Sequence, residues 1–304
     1  MDAFKARGAV ENVCPGWLEI FDCPEVKPLL ERALTGILPD IDHLAPSPDR
    51  LFEAFRYFPP EETKVVIMGQ DPYPKAGDAV GLCFSSRGRP PGSLRNIYRC
   101  LKKSGLIPTV PAFSSLKLWA FQGVLMVNAV LTTRVGKTRA HAGTWQPSDG
   151  KPAVATILRE LDKRVPGIVY LLWGRDARGY VYDRSDGRPS GTAGPVFLQW
   201  SHPSPQADTR LPLGSRFEDC RHFARVNELL SEKREPTVEW STWAPVRVFT
   251  DGACAGNGKK TANAKFGVVF TSGPIRSTRI QGVVPAFEIA LVGDRLACTG
   301  AEQT

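Results

Sequence analysis

Four short apolar runs punctuate the chain, at residues 65–68 (VVIM), 124–127 (VLMV), 167–173 (GIVYLLW) and 196–200 (VFLQW). Each has the length of a strand, and apolar runs of this kind, the last broken by Gln199, belong to strands buried on both faces. Between them the apolar spacing is helical. It is so over residues 17–34, interrupted at Pro24 and Pro28. Ser47-Pro48-Asp49 opens a second helical run through Phe52, Phe55 and Phe58, with Pro48 suited to a first turn. Ser93 stands where an N-cap would start a helix reaching about Lys103. Residues 153–161 form another helical stretch, and 218–230 the last. Strands alternating with helices predict an α/β fold: a three-layer α/β/α domain around a central, mainly parallel four-stranded sheet.

Three of these strands run out into polar residues. The first leads into Gly69-Gln70-Asp71-Pro72-Tyr73-Pro74, the second ends at Asn128, and the fourth at Ser201-His202. Pro72 fixes its own φ and disfavours helical geometry at Asp71, so the acid is held on a stiff loop. Open α/β sheets place their ligands beyond the carboxyl ends of the strands. Three strands thus deliver an acid, an amide and an imidazole to one edge. Each residue alone also fits a turn, a cap or a loop; their coincidence points to a site.

Composition narrows the class. With 42% hydrophobic and 23% charged residues, the 304-residue chain reads as a globular protein. No apolar run reaches membrane-spanning length, and the first residues lack a signal-peptide core, so an intracellular protein with no membrane partner is expected. The seven cysteines are scattered and form no Cys-x-x-Cys pair, which argues against a disulfide framework or a zinc site. A net charge of +8 and a pI near 9.2 permit a polyanionic partner without establishing one.

Residues from about 15 to 240 resemble the uracil-DNA glycosylases of family 1, the UNG type. The matching segments are KVVIMGQDPYP at 64–74, GLCFS at 81–85, PPGSLRNIY at 90–98, GVLMVNAVLT at 123–132, LLWG at 171–174 and HPSP at 202–205. Arg221-His222-Phe223 with Asn227-Glu228-Leu229-Leu230 resembles the family's closing helix.

The resemblance implies a monofunctional, metal-independent N-glycosyl hydrolase, without cofactor, that acts on uracil flipped out of DNA and initiates base excision repair. Asp71 would orient the attacking water and stabilise the sugar cation. His202, as neutral imidazole, would donate to the charge developing on uracil O2, helped by backbone amides near Gln70. Gly69 and Gln70 would bind substrate. Asn128 would read the O4 and N3–H edge and reject cytosine's amino group. Phe84 would stack on the base, and Tyr73 would stand against C5, where thymine's methyl clashes. Pro91, Ser93, Ser204 and Gln206 are expected on DNA, with Arg87, Arg89, Arg95, Arg99, Lys102 and Lys103 supplying nearby positive charge; a solvated helix face explains the last four equally well. His141 is expected in a solvated loop.

The implied partners are uracil-containing DNA, single- or double-stranded, and replication proteins. The implied state is a monomer, in the nucleus or at a site of DNA replication. Two positions depart from the family. Pro74 stands where cellular enzymes usually carry histidine and poxvirus versions carry proline. Gln206 stands where a leucine usually wedges into the duplex, so either Gln206 fills the gap less well or Leu211 or Leu213 moves in. Poxvirus relatives also suggest an alternative, a non-catalytic DNA-binding scaffold or polymerase processivity subunit. The intact Asp71, Asn128 and His202 favour the enzyme.

The charged stretch 231–236 ends in Pro236 and reads as the start of a linker, with a domain boundary near 242: residues 1–241 the glycosylase domain, 242–304 a truncated RNase H-like segment. The latter resembles the opening of an RNase H domain, a strand over 246–252 carrying Asp251, then Gly256-Asn257-Gly258. Glu288 and Asp294 miss the motif's other carboxylate positions, and one carboxylate cannot hold a two-metal site. No nuclease activity is expected of it.

Overall fold

The computed structural model describes residues 2–181 and 194–241, and the backbone of five strands between 248 and 300. In chain order the first part runs α1 (Asp2–Lys5), α2 (Pro15–Asp22), α3 (Lys27–Ile37), β1 (Leu44–Ala45), β2 (Val65–Gly69), α4 (Gly92–Lys103), α5 (Lys117–Ala120), β3 (Val124–Asn128), β4 (Thr133–Arg134), α6 (Ala142–Trp145), α7 (Ala153–Arg164), β5 (Val169–Trp173), α8 (Arg175–Val181), β6 (Val196–Trp200), α9 (Pro205–Asp208) and α10 (His222–Glu232). The apolar runs form one four-stranded sheet, ordered β3-β2-β5-β6 and parallel throughout, with helices flanking it. Every residue of β2, β3 and β5 is buried, as continuous apolar strands require. The edge strand β6 is only partly buried, and its Gln199 faces solvent. Among the described residues no helix is long and apolar enough to cross a membrane.

Three helical expectations are corrected. The run through Phe52, Phe55 and Phe58 is not an α-helix but a chain of 3-10 turns at Pro48–Arg50, Glu53–Phe55 and Pro60–Glu62. The aromatic rings pack instead of keeping a helical repeat: Phe55 meets Trp17 edge-on at 5.0 Å and Phe21 at 5.1 Å. The helix near 93 begins at Gly92, and its N-cap is Pro91, extended at φ −61°, ψ 165°; Ser93 lies inside the first turn and caps nothing. The last helix, expected from 218, opens as a 3-10 turn at Phe217–Asp219 before α10 starts at His222.

Residues 231–236 do not simply lead away. Beyond them Val238 and Trp240 are buried. Asn227 on α10 donates to Val238 O and accepts from Val238 N–H, both at 2.9 Å. Trp240 packs on Phe223 at 4.9 Å and on Trp119 at 5.2 Å, and its carbonyl accepts from Trp119 Nε1 at 3.0 Å.

The tail forms β7 (Val248–Ala255), β8 (Asn263–Phe270), β9 (Arg279–Val284), β10 (Phe287–Val292) and β11 (Arg295–Gly300). β7, β8 and β9 pair antiparallel in sequence order, and β10 pairs antiparallel with β11. The expected strand over 246–252 is thus β7, with Asp251 opposite Gly267. Gly256, Asn257, Gly258, Asp294 and the boundary at 242 lie outside the described residues.

Candidate active site

β2 and β3 end side by side, with Gly69 opposite Asn128. The ladder continues past them: Ala129 N–H donates to Gly69 O and Val130 N–H to Gln70 O, each at 3.0 Å. A Cβ at position 69 would lie 2.1 Å from Asn128 Oδ1 and 2.6 Å from Cys83 Cβ, so glycine is what lets the Asn128 amide lie across the strand end. Asn128 is buried.

His202 arrives from β6, beside the end of β5. Gly174, at φ +91°, makes room: a Cβ there would lie 3.0 Å from His202 Cβ. His202 Nδ1 accepts from the backbone N–H of Ser204 at 3.0 Å, which places the proton of the neutral ring on Nε2. Burial pushes its pKa below the ordinary value, against a smaller upward pull from Asp176.

Asp71 is half-buried. Its Oδ2 accepts from the backbone N–H of Arg139 at 2.9 Å. Burial raises the carboxyl pKa, while that hydrogen bond and the Arg139 charge hold it down. Phe84 adopts φ +61°, which aims its ring between Trp173 at 5.5 Å and His202 at 6.2 Å. Tyr73 donates its hydroxyl to Phe84 O at 3.2 Å, and burial raises the phenol pKa and keeps it protonated.

Gly69, Gln70, Asp71, Tyr73, Phe84, Ser93, Asn128 and His202 all line one pocket of about 190 Å³. Three expected DNA contacts, Pro91, Ser204 and Gln206, lie outside its lining. The loops that carry them touch each other: a Cβ on Gly92 would lie 2.8 Å from Pro205 Cγ, and Asn96 Nδ2 donates to Pro203 O at 3.0 Å. Ser204 caps α9, its hydroxyl accepting from Ala207 N–H at 3.3 Å, and Gln206 is exposed on that short helix.

Two expectations change here. His141 is buried, not solvated: Nε2 lies 3.1 Å from Asp40 Oδ2 and Nδ1 lies 3.0 Å from Thr132 Oγ1, which also accepts from Trp145 Nε1 at 2.8 Å. Such a network ties the segment that carries Arg139 to the core. Lys103 is engaged by Asp219 at 2.7 Å and Glu218 at 3.3 Å, so it belongs to an ion-pair cluster. Sequence reasoning also missed Arg139, Thr138 and Asp176. Thr138 lines the pocket, and Asp176 Oδ2 accepts from Gln70 Nε2 at 2.7 Å and faces Arg139 at 3.4 Å. Among the described residues the one grouping of metal-ligand type joins Cys23, Glu25 and Glu160, none of which lines the pocket.

The fold and the pocket define an α/β protein whose site sets the Phe84 ring, the Asn128 amide, the Asp71 carboxylate and the His202 imidazole around one cavity. The chain belongs to the uracil DNA glycosylase superfamily, whose family model matches residues 55–231. It is 35% identical over 236 residues to the uracil-DNA glycosylase of varicella-zoster virus, covering 76% of this chain and 72% of that one. It is 36% identical over 241 residues to that of Chromobacterium violaceum, covering 77% and 94%. The crystal structure of mimivirus uracil-DNA glycosylase superposes with a TM-score of 0.63 at 26% identity, covering 74% of this chain and 86% of that one.

Proposed function

We propose that the chain hydrolyses the N-glycosidic bond of uracil flipped out of DNA, the first step of base excision repair. The observation that carries this is the meeting of Asp71, Asn128 and His202, from three different strands, in one pocket. Water oxygen bonds to C1′ as the C1′–N1 bond breaks. The bonding pair leaves on uracil, delocalised onto O2, and the water gives up its proton to the solvent side through Asp71. The uracil anion takes up a proton from solvent, and free uracil and an abasic sugar result.

Asp71 aims the water and, as an anion, stabilises the sugar cation; its fixed backbone partner supports that role. His202 donates from Nε2 to O2; the Ser204 contact on Nδ1 supports it. Asn128 pairs with the O4 and N3–H edge, Phe84 stacks, and Tyr73 excludes a 5-methyl group. Gly69 and Gln70 supply the floor, with Gln70 N–H near the developing charge. Pro91, Ser93, Ser204 and Gln206 grip the DNA backbone from the two touching loops. Nothing in this chemistry calls for a metal. The relatives carry enzyme names, so a non-catalytic scaffold is not favoured.

We assign 1–241 to the glycosylase domain, supported by the docking of Val238 and Trp240, and 242–304 to an RNase H-like segment, supported by the antiparallel order of β7, β8 and β9. We read the chain as a monomer that acts on single- or double-stranded DNA, with replication proteins as partners. The test is uracil release from oligonucleotides in EDTA, comparing wild type with Asp71→Asn. Wild-type release with a loss of roughly a thousandfold in the variant is expected; equal turnover would refute the role of Asp71.

A further inference from the structure

Asp71 is held by a residue 68 positions away, in an unusual conformation. Among the described residues only Asn12, Phe84, Arg139 and Arg234 are non-glycine residues with positive φ; Phe84 lines the pocket and Arg139 directly follows its lining residue Thr138. Arg139, at φ +56°, points its N–H at Asp71 Oδ2. Backbone held in a sparsely populated region beside a reactive group is where a functional constraint is to be sought. The turn bearing Arg139 is fastened on several sides: Gly136 N–H donates to Pro74 O at 2.8 Å, Ala140 N–H to Thr133 Oγ1 at 3.1 Å, and Val135 N–H to His43 O at 2.8 Å. The Arg139 guanidinium then reaches Asp176 on α8, which also takes Gln70 Nε2.

We propose that Arg139 and Asp176 form a positioning bridge that closes a ring through Gln70 around Asp71 and fixes the aim of its carboxylate, with the Arg139 cation alone favouring the anion. Neither residue lines the pocket; both act through Asp71 and Gln70. The charged groups around Asp71 are Arg139 from the 135–141 turn and, one step out, Asp176 from α8; His202 at the end of β6 faces Asp176 from across the site. The bridge is half-exposed, with side chains 52% and 42% accessible, so it adds little to stability and its loss leaves the fold intact. It is tuned to the site, and the proposal rests on Asp71 being the group that handles water.

The experiment is a pH–kcat profile of uracil release from a single-stranded oligonucleotide, for wild type, Arg139→Gly, Arg139→Lys, Asp176→Asn and the Asp71→Asn control. Arg139→Gly keeps the positive φ and the N–H while removing the cation. It is expected to lower kcat roughly tenfold and to move the acid limb to higher pH, because the anion loses a neighbouring positive charge. Arg139→Lys should bring the limb back, and Asp176→Asn should move it to lower pH. Unmoved limbs in both the Arg139→Gly and Asp176→Asn variants, or a change confined to KM and its salt dependence, would overturn the bridge and make Arg139 a DNA-backbone contact. Full activity of Asp71→Asn would instead overturn the assignment of Asp71 itself.

Discussion

His202 Nδ1 accepts a hydrogen bond of 3.0 Å from the backbone N–H of Ser204, two residues on. Protonating the ring would set donor against donor, and burial already lowers the pKa from 6.5. Uracil release is therefore expected to stay flat across roughly pH 6–8. It should fall as acid protonates the His202 ring and Asp71, whose carboxyl titrates above 3.8 because it is partly buried. A rate that falls as pH rises through about 6.5 would mean that a charged imidazole is needed, and would end the neutral-donor role. His202→Leu should cost about 10²–10³ in kcat, the usual worth of one donor aimed at developing charge.

Tyr73 is braced by its bond to Phe84 O, so the ring cannot swing aside for a 5-methyl group. Tyr73→Ala should make thymine release measurable and reduce uracil-over-thymine selectivity by at least roughly tenfold, since one methyl in a tight pocket is worth about 10–200-fold. Unchanged discrimination in a competition assay on mixed oligonucleotides would place the methyl sensor elsewhere.

Gln206 is exposed in α9, and a few residues later Leu213 stands 79% exposed, the most open large apolar side chain among the described residues. Gly214 N–H holds its loop to Asp219 Oδ2 at 3.1 Å. Replacing Leu213 by Ala should slow release from duplex DNA roughly tenfold and leave single-stranded substrate untouched, as expected of a side chain that fills the gap left by an extruded base. Equal effects on both substrates, or none, would remove Leu213 from the duplex step and leave the gap to Gln206.

His222 is buried, accepting from Trp173 Nε1 at 3.1 Å, and burial lowers its pKa from 6.5 to about 4. Between those two values the unfolded chain binds a proton that the folded chain refuses. Stability should then fall with pH through that window, by up to roughly 3 kcal/mol. Asp162, raised to about 6 by burial, works in the opposite direction over part of the same range. Denaturant midpoints of wild type and His222→Gln at about pH 7 and pH 4.5 separate the two: the difference between the proteins should shrink in acid. A constant difference would show that His222 titrates normally.

The strands were legible because β2, β3 and β5 are buried on both faces and must be apolar throughout. Asp71, Asn128 and His202 were legible because each stands at or just past the end of a strand. The 3-10 turns at 48–62 were not, since three phenylalanines at intervals of three suit a helix and an aromatic cluster equally well. Nor were Arg139 and Asp176, whose partners lie 68 and 106 residues away and leave no local pattern. Nothing beside His141 in the sequence marks it as buried; its partners are Asp40, 101 residues earlier, and Thr132.

Trp240 lies nine residues past the last position matched to the family, residue 231, yet it is wedged between Trp119 and Phe223. A fragment trimmed to the matched region would open a hole the size of an indole in the core and strand the Asn227 amide. The smallest piece of this chain worth expressing for glycosylase work therefore runs through Ser241.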